Sequence, residues 1–374
     1  MLLIFVVVDM LDKDGRIAEG RDDVALKGKK PMAEGSYGCI YPEEDAPQCS
    51  SDKPKGKAGN RKVRKLLKKD DAQIELSTSK LIRSIPLWEY YFVVQEETGC
   101  KESNFKKARP MYEGYCKIFK SSANKNLTEL SAPYRGISLR NLRITDSFLF
   151  VDSLKHLLTG LSLLHKQGIC HFDIHAGNIL EENGFLRFID FGSSFKSDSI
   201  DKEVIHRHSY MFTSDFPTQP PELSIQNGIY HNLSVEYCID QLLQGREVFR
   251  NGLPYTGITT FYVKSKLSLI GNYIGTTEAE WVAFYNKHWK KFDTWSLGVV
   301  FFTILKQCML LPSFRPIWKK DQTLITTVLR GCLEPHPTCR FSADEALSYF
   351  SSAAQATASA SASSASAEPH AESS

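Results

Sequence analysis

Residues 168–194 read GICHFDIHAGNILEENGFLRFIDFGSS, and this stretch decides the fold. Asn183-Gly184 is a strong type I′ turn signal, because both central positions of that turn need positive φ and Asn and Gly tolerate it. Apolar runs flank the dipeptide at Ile179-Leu180 and from Phe185 to Ile189, so a tight hairpin is predicted. Folding about it pairs residues whose numbers sum to 367, which sets Asn178 opposite Ile189 and beside Asp190. One amide oxygen and one carboxylate then arrive at the same end of one hairpin, and hard oxygen ligands of this kind suit magnesium. Asp173 lies on the same loop, five residues before Asn178, placed to accept a proton nearby.

Just upstream, Val151, Leu154, Leu157, Leu158, Leu161 and Leu164 form one apolar stripe, which predicts a helix over 146–167. Asp146 is the expected cap and Gly168 the expected stop. Residues 28–133 mix short apolar runs with turn signals, predicting a small sheet with one helix near 71–83. Residues 146–350 carry more helical periodicity. A sheet-rich part is thus followed by a helical one.

The run HFDIHAGN, His171 to Asn178, resembles the catalytic loop H-R-D-x-x-x-x-N of protein kinases, and Asp190-Phe191-Gly192 resembles their magnesium-binding triplet. The resemblance covers roughly residues 30–350 and implies an α+β, bilobal protein-kinase fold. Such a fold has a small β-rich N-lobe with one main helix (28–133) and a larger, mostly helical C-lobe (134–350). It also implies the cofactors ATP and Mg2+ and a protein substrate. Asp173 would act as base, with Asn178 and Asp190 as metal ligands.

By the same resemblance AEGSYGCIY, from Ala33 to Tyr41, is the Gly-rich loop, with Ala33 in place of its first glycine. Gly35, Ser36 and Gly38 would bring the backbone to the phosphates, while Ile40 and Val63 would border the nucleotide. Lys65 in KVRKLL would contact the α- and β-phosphates, with Glu75 as its helix partner. Lys62, Arg64, Lys68 and Lys69 compete for the lysine's place. The hinge is expected near Ser131 to Arg135.

Pro220-Pro221-Glu222 resembles the end of the activation segment, Asp293 to Gly298 the helix that braces the catalytic loop, and Arg340 the partner of Glu222. The GSYGCIY, VRKLL and PYRGISL runs look most like those of kinases from large nucleocytoplasmic DNA viruses.

Composition sets looser bounds. The chain has 374 residues, 42% hydrophobic and 24% charged, as in an ordinary globular protein. A net charge of +3 is too small to imply a nucleic-acid or membrane partner, and a monomer is the default expectation. Nine scattered cysteines without a C-x-x-C pair argue against a disulfide framework or zinc site and for a reducing, intracellular compartment. The sequons at Asn126 and Asn232 are then chance matches. The apolar start MLLIFVVV lacks a basic flank and is too short to span a bilayer, so 1–27 is an N-terminal extension. The stretch 43–60 reads as a long solvated loop, and 351–374 as a disordered Ala/Ser-rich tail.

Three departures from the kinase pattern matter. Phe172 replaces the arginine before the catalytic aspartate, so activity is not expected to require a phosphorylated activation loop. His175 replaces the lysine that meets the γ-phosphate, and is counted among the catalytic residues although a neutral imidazole serves less well. The connection from Glu222 to Asp293 holds an insert, 223–290, whose helical stretches are expected to pack on the large lobe. His175 also suits small-molecule phosphotransferases of the aminoglycoside and choline type, with H-x-D-x-H-x-x-N loops. Together with Ala33 it suits a pseudokinase scaffold. Both are alternatives to a protein kinase acting on Ser/Thr.

Overall fold

The computed structural model describes residues 30–35, 38–47, 61–100, 105, 109, 111–112, 114–121, 127–250 and 257–352. The segment 1–27, Ser36, Asn126, the stretch 48–60 and the Ala/Ser tail beyond 352 lie outside the described residues. The chain divides into two compact units: residues up to Arg83 with Val93–Arg135, and Ser84–Phe92 with residues from Gly136 onward. The first is built on a five-stranded sheet and the second is mostly helical, the α+β class the sequence predicts.

In the first unit β1 (Ala33–Glu34), β2 (Gly38–Pro42), β3 (Lys62–Lys68), β4 (Glu96–Glu97) and β5 (Leu127–Pro133) lie in the order β1-β2-β3-β5-β4. β3 pairs with β5 along its full length, from Lys62↔Pro133 to Lys68↔Leu127. β2 approaches β3 so closely that a Cβ on Gly38 would lie 2.0 Å from the Leu66 carbonyl oxygen, so only glycine fits there. The helix Lys69–Ile82 follows β3 without a loop, and Asp70 and Asp71 in its first turn complement the helix dipole. Tyr41, Leu66, Phe105, Phe119 and Leu130 are buried in the core.

Two expectations are corrected in this unit. Residues 43–47 are not a solvated loop: Glu43–Asp45 form a 3-10 turn, Ala46 is buried, and Glu43 accepts from Arg64 at 2.5 Å. The cysteines are not all free either. Cys39 and Cys116, separated by 77 residues in sequence, are brought to a Cα–Cα distance of 6.1 Å and form a disulfide. Cys100 is disulfide-bonded too, whereas Cys170, Cys238, Cys308, Cys332 and Cys339 are free thiols. Spacing along the chain does not reveal a pairing that the sheet creates. With these bonds present, cysteine usage no longer argues for a reducing compartment. Among the described residues no helix is long and apolar enough to cross a membrane.

In the second unit β6 (Ile137–Ser138), β8 (Ile179–Glu182) and β9 (Phe185–Phe188) form one small sheet, and β7 (Ile169–Cys170) pairs with β10 (Phe195–Lys196). The β8–β9 register runs from Ile179↔Phe188 to Glu182↔Phe185, as the turn at Asn183-Gly184 predicts. Both turn residues have positive φ, 55° and 83°. The leucine-striped helix spans Phe150–Lys166, with Leu154, Leu157, Leu158, Leu161 and Leu164 almost wholly buried. Each such leucine contributes roughly 1.5–3 kcal/mol of transfer free energy. It starts four residues later than expected because Asp146 does not cap it; that carboxylate accepts from Ser313 instead. Gly168, at φ 71°, ends it.

Within the insert, the helices Pro221–Tyr230, Val235–Gly245 and Thr260–Ile274 pack closely: a Cβ on Gly228 would lie 2.1 Å from Cys238 Sγ, and one on Gly271 2.3 Å from Val235 Cγ1. The 31-residue helix Glu278–Cys308 opens with a capping box, Thr277 with Glu280, and carries Asp293 at its buried middle.

Replacing Cys39 and Cys116 together by serine should lower the unfolding free energy by up to roughly 4 kcal/mol, the chain-entropy value for a loop of this size. A melting temperature equal to that of the wild-type chain under non-reducing conditions would show that the cross-link adds no stability.

Candidate active site

In the first unit the antiparallel registers set Ala33 opposite Ile40, Ile40 opposite Lys65 and Lys65 opposite Leu130. Directly opposed residues share a face, so these four form one row across the sheet, with Val63 two positions along on the same side. Lys65 Nζ donates to Glu75 Oε2 at 2.8 Å, and both side chains are buried. Its neighbour Arg64, on the opposite face of β3, pairs with Glu129 at 3.1 Å and with Glu43. Strand alternation therefore separates two cations that are adjacent in sequence. Gly35 N–H donates to Gly38 O at 2.9 Å, closing the β1–β2 turn; Ser36 lies outside the described residues.

In the second unit the loop after β7 hangs on one carboxylate. Asp293 Oδ2 accepts from His171 N–H at 2.8 Å and lies 3.0 Å from His165 Nε2, while Oδ1 accepts from Phe172 N–H at 2.8 Å. Burial would raise this carboxyl, but the His165 hydrogen bond, the His165 and His171 electrostatics and the backbone donor outweigh it and hold it below the ordinary range. Phe172 sits at φ 68°, left-handed backbone that a bulky residue seldom adopts and that costs on the order of 1–3 kcal/mol. The two amide bonds to Asp293 keep it there.

His171 accepts from Asp173 N–H at Nδ1 (3.4 Å), so Nε2 carries the proton and donates to Ile189 O at 3.1 Å. Asn178 O accepts from Ile189 N–H at 3.0 Å, the contact that extends the hairpin to Asp190. Asn178 Nδ2 donates to Asp173 O at 2.9 Å and to Asp173 Oδ2 at 3.2 Å. With its amide nitrogen so used, the Asn178 amide oxygen is the atom that could coordinate a cation. Asp190 is also left-handed, at φ 63°, and its Oδ1 accepts from Gly192 N–H at 3.4 Å. Phe191 is fully buried, its ring 4.9 Å from that of His171 and 6.1 Å from that of Phe92.

His175 Nδ1 accepts from Gly177 N–H at 3.0 Å, leaving Nε2 as the protonated nitrogen, 3.8 Å from Asp173 Oδ1. Burial pushes its pKa down to about 4; the Arg140 charge acts the same way and Asp190 opposes it. The imidazole is neutral at physiological pH.

Phe172, where an arginine was expected, occupies an aromatic pocket: His208 lies at 4.2 Å, Phe195 at 5.4 Å, and Tyr285 and Phe292 at 6.1 Å between ring centroids. His208 ends the helix Lys202–His208 of the segment after Gly192, and Arg207 donates to Ser194 O at 2.9 Å. The sequence flags the missing arginine but not this replacement, whose members come from three separate stretches. Farther along, Glu222 and Arg340 form a fully buried bidentate pair at 2.6 and 2.8 Å. Trp295 and Ser296 donate to Pro217 O and Thr218 O, tying the same segment to the helix of Asp293. Arg246, unmarked by any motif, is buried and donates to Ser214 O, Gln219 O and Ser224 Oγ.

Outside this region, Glu34, Cys39 and Cys116 converge closely enough to hold a metal, but the two sulfurs are bonded to each other and are not thiolate ligands.

Residues 124–235 match the family described as "Protein kinase domain", a span that includes Asp173, Asn178, Asp190 and Glu222. The chain is 33% identical over 79 residues to MAP kinase kinase kinase win1 of Schizosaccharomyces pombe, which covers 21% of this chain and 6% of that protein. It is 28% identical over 109 residues to Serine/threonine-protein kinase HAL5 of Saccharomyces cerevisiae, 27% of this chain and 12% of that protein. The matches therefore span a small part of either relative. They support the eukaryotic-type protein kinase superfamily.

Because its pKa is lowered to about 4, His175 should stay neutral from pH 8 down to pH 5 and take up a proton only below that range. A histidine-resolved NMR titration should show no His175 midpoint there; a midpoint near the unperturbed value of about 6.5 would contradict the assignment.

Proposed function

We propose that the chain is a protein kinase that transfers the γ-phosphoryl group of ATP to Ser or Thr hydroxyls of a protein substrate. The observation that carries this reading is the Asp173, Asn178 and Asp190 constellation on one braced loop and hairpin. Asp173 takes the proton of the acceptor hydroxyl as its oxygen attacks, and Asn178 orients the Asp173 carboxylate through its amide nitrogen. The donor set fits Mg2+, with the Asn178 amide oxygen and the Asp190 carboxylate as hard ligands. When bound, the ion supplies neutralising charge at the phosphates. Lys65, oriented by Glu75, holds the α- and β-phosphates. Ala33, Ile40 and Val63 border the adenine, and the backbone at Gly35 and Gly38 covers the phosphates.

Ser/Thr preference is supported by the similarity to HAL5, a serine/threonine-protein kinase. The virus-like placement stays with the three short runs that suggest it. His175 favours a second reading, transfer to a small alcohol. Against that reading stand Glu222–Arg340 and the Asp293 helix, features shared with kinases of protein substrates.

The test is transfer of label from Mg-ATP to a generic protein substrate, with Asp173→Asn and Asp190→Asn beside the wild type. Label should reach protein with the wild type, and either variant should lower kcat by about 10²–10⁴-fold. Transfer only to small alcohols would favour the second reading. Nucleotide binding without any transfer would leave a scaffold.

A further inference from the structure

We propose that Arg140 is a catalytic residue of this chain, supplying the cation that meets the transferring phosphoryl group in place of the histidine at position 175. The inference rests on the phosphotransfer reading above and names a participant that no motif marks.

The backbone puts Arg140 at the reacting loop. β6 pairs with β8 through Ile137↔Glu181 and Ser138↔Leu180, and the pairing continues beyond both strands. Leu139 N–H donates to Ile179 O at 2.7 Å and Arg140 N–H to Ala176 O at 2.9 Å. Arg140 is thus fixed against the loop between Asp173 and Asn178, independently of where its side chain goes.

The side chain then follows that loop. A Cβ on Gly177 would meet Arg140 Nη2 at 3.2 Å and His175 Nδ1 at 2.9 Å. The guanidinium and the imidazole therefore flank one backbone position, with no room for a side chain between them.

His175 has the wrong chemistry for the task. Its Nδ1 is occupied as an acceptor from Gly177 N–H, and its remaining N–H points toward Asp173. A guanidinium keeps its charge at every accessible pH and offers a planar fork of donors that matches phosphate oxygens. Arg140 is exposed at this edge of the loop.

The test is steady-state kinetics of the full chain with Mg-ATP and a protein substrate, comparing wild type, Arg140→Gln, Arg140→Lys and the double variant Arg140→Gln/His175→Lys. Arg140→Gln should lower kcat by about 10²–10³-fold, the range for losing one preorganised charge donor in the transition state. KM for ATP should change by less than about threefold, since the charge acts on the transition state rather than on nucleotide affinity. Arg140→Lys should keep more activity than Arg140→Gln. The double variant should recover at least about tenfold over Arg140→Gln, because a lysine at 175 restores a cation at the same phosphate. A kcat for Arg140→Gln equal to that of wild type overturns the proposal. So does a loss in Arg140→Gln that is matched in the double variant and accompanied by a lowered melting temperature, which is the signature of a structural role. A wild type that transfers no phosphoryl group fails at an earlier step and overturns the kinase reading itself.

Discussion

The carboxylate of Asp293 is the constraint on which the second unit depends. It is buried, and it receives two backbone N–H groups of the loop after β7 and faces His165. A buried carboxylate without such partners would cost several kcal/mol, so the loop and the helix stabilise each other. The consequence is geometric. With its two amides held, the loop turns through the left-handed Phe172 and delivers Asp173 at a defined place beside Asn178.

The same helix reaches a second part of the site. From consecutive positions Trp295 and Ser296 grip the backbone before Glu222, and Glu222 is clamped by Arg340. Phe172, whose backbone Asp293 holds, turns its ring into a pocket completed by His208 and Tyr285. The segment between Asp190 and Glu222 is thus fastened at its start by aromatic packing and at its end by charge. A phosphorylated side chain paired with an arginine is not needed for either fastening.

Local chemistry was legible in the sequence, and long-range pairing was not. The Asn183-Gly184 turn stated its own register, and the Ile179↔Phe188 pairing follows it. The resemblance pairs Lys65 with Glu75 and the structure shows that ion pair, while strand alternation puts the neighbouring Arg64 in a different network. The helix expected from 146 begins at Phe150 because Asp146 is drawn to Ser313, 167 residues away in sequence. The Cys39–Cys116 bond is not legible in the sequence for the same reason, since it exists only once the sheet and the segment at 116 are assembled. Arg140 carries no motif at all; its place depends on the way β6 continues past its pairing with β8.

The most direct measurement is therefore on Asp293. An asparagine there keeps the shape but replaces one acceptor with a donor facing a backbone N–H group or the His165 ring. In a variant that retains native near-UV circular dichroism, phosphoryl transfer should fall by on the order of 10²-fold, the cost of a displacement of about 1 Å at a reacting group, with ATP still bound. Transfer at the wild-type rate in a folded Asp293→Asn protein would contradict the claim that this carboxylate sets the geometry of Asp173.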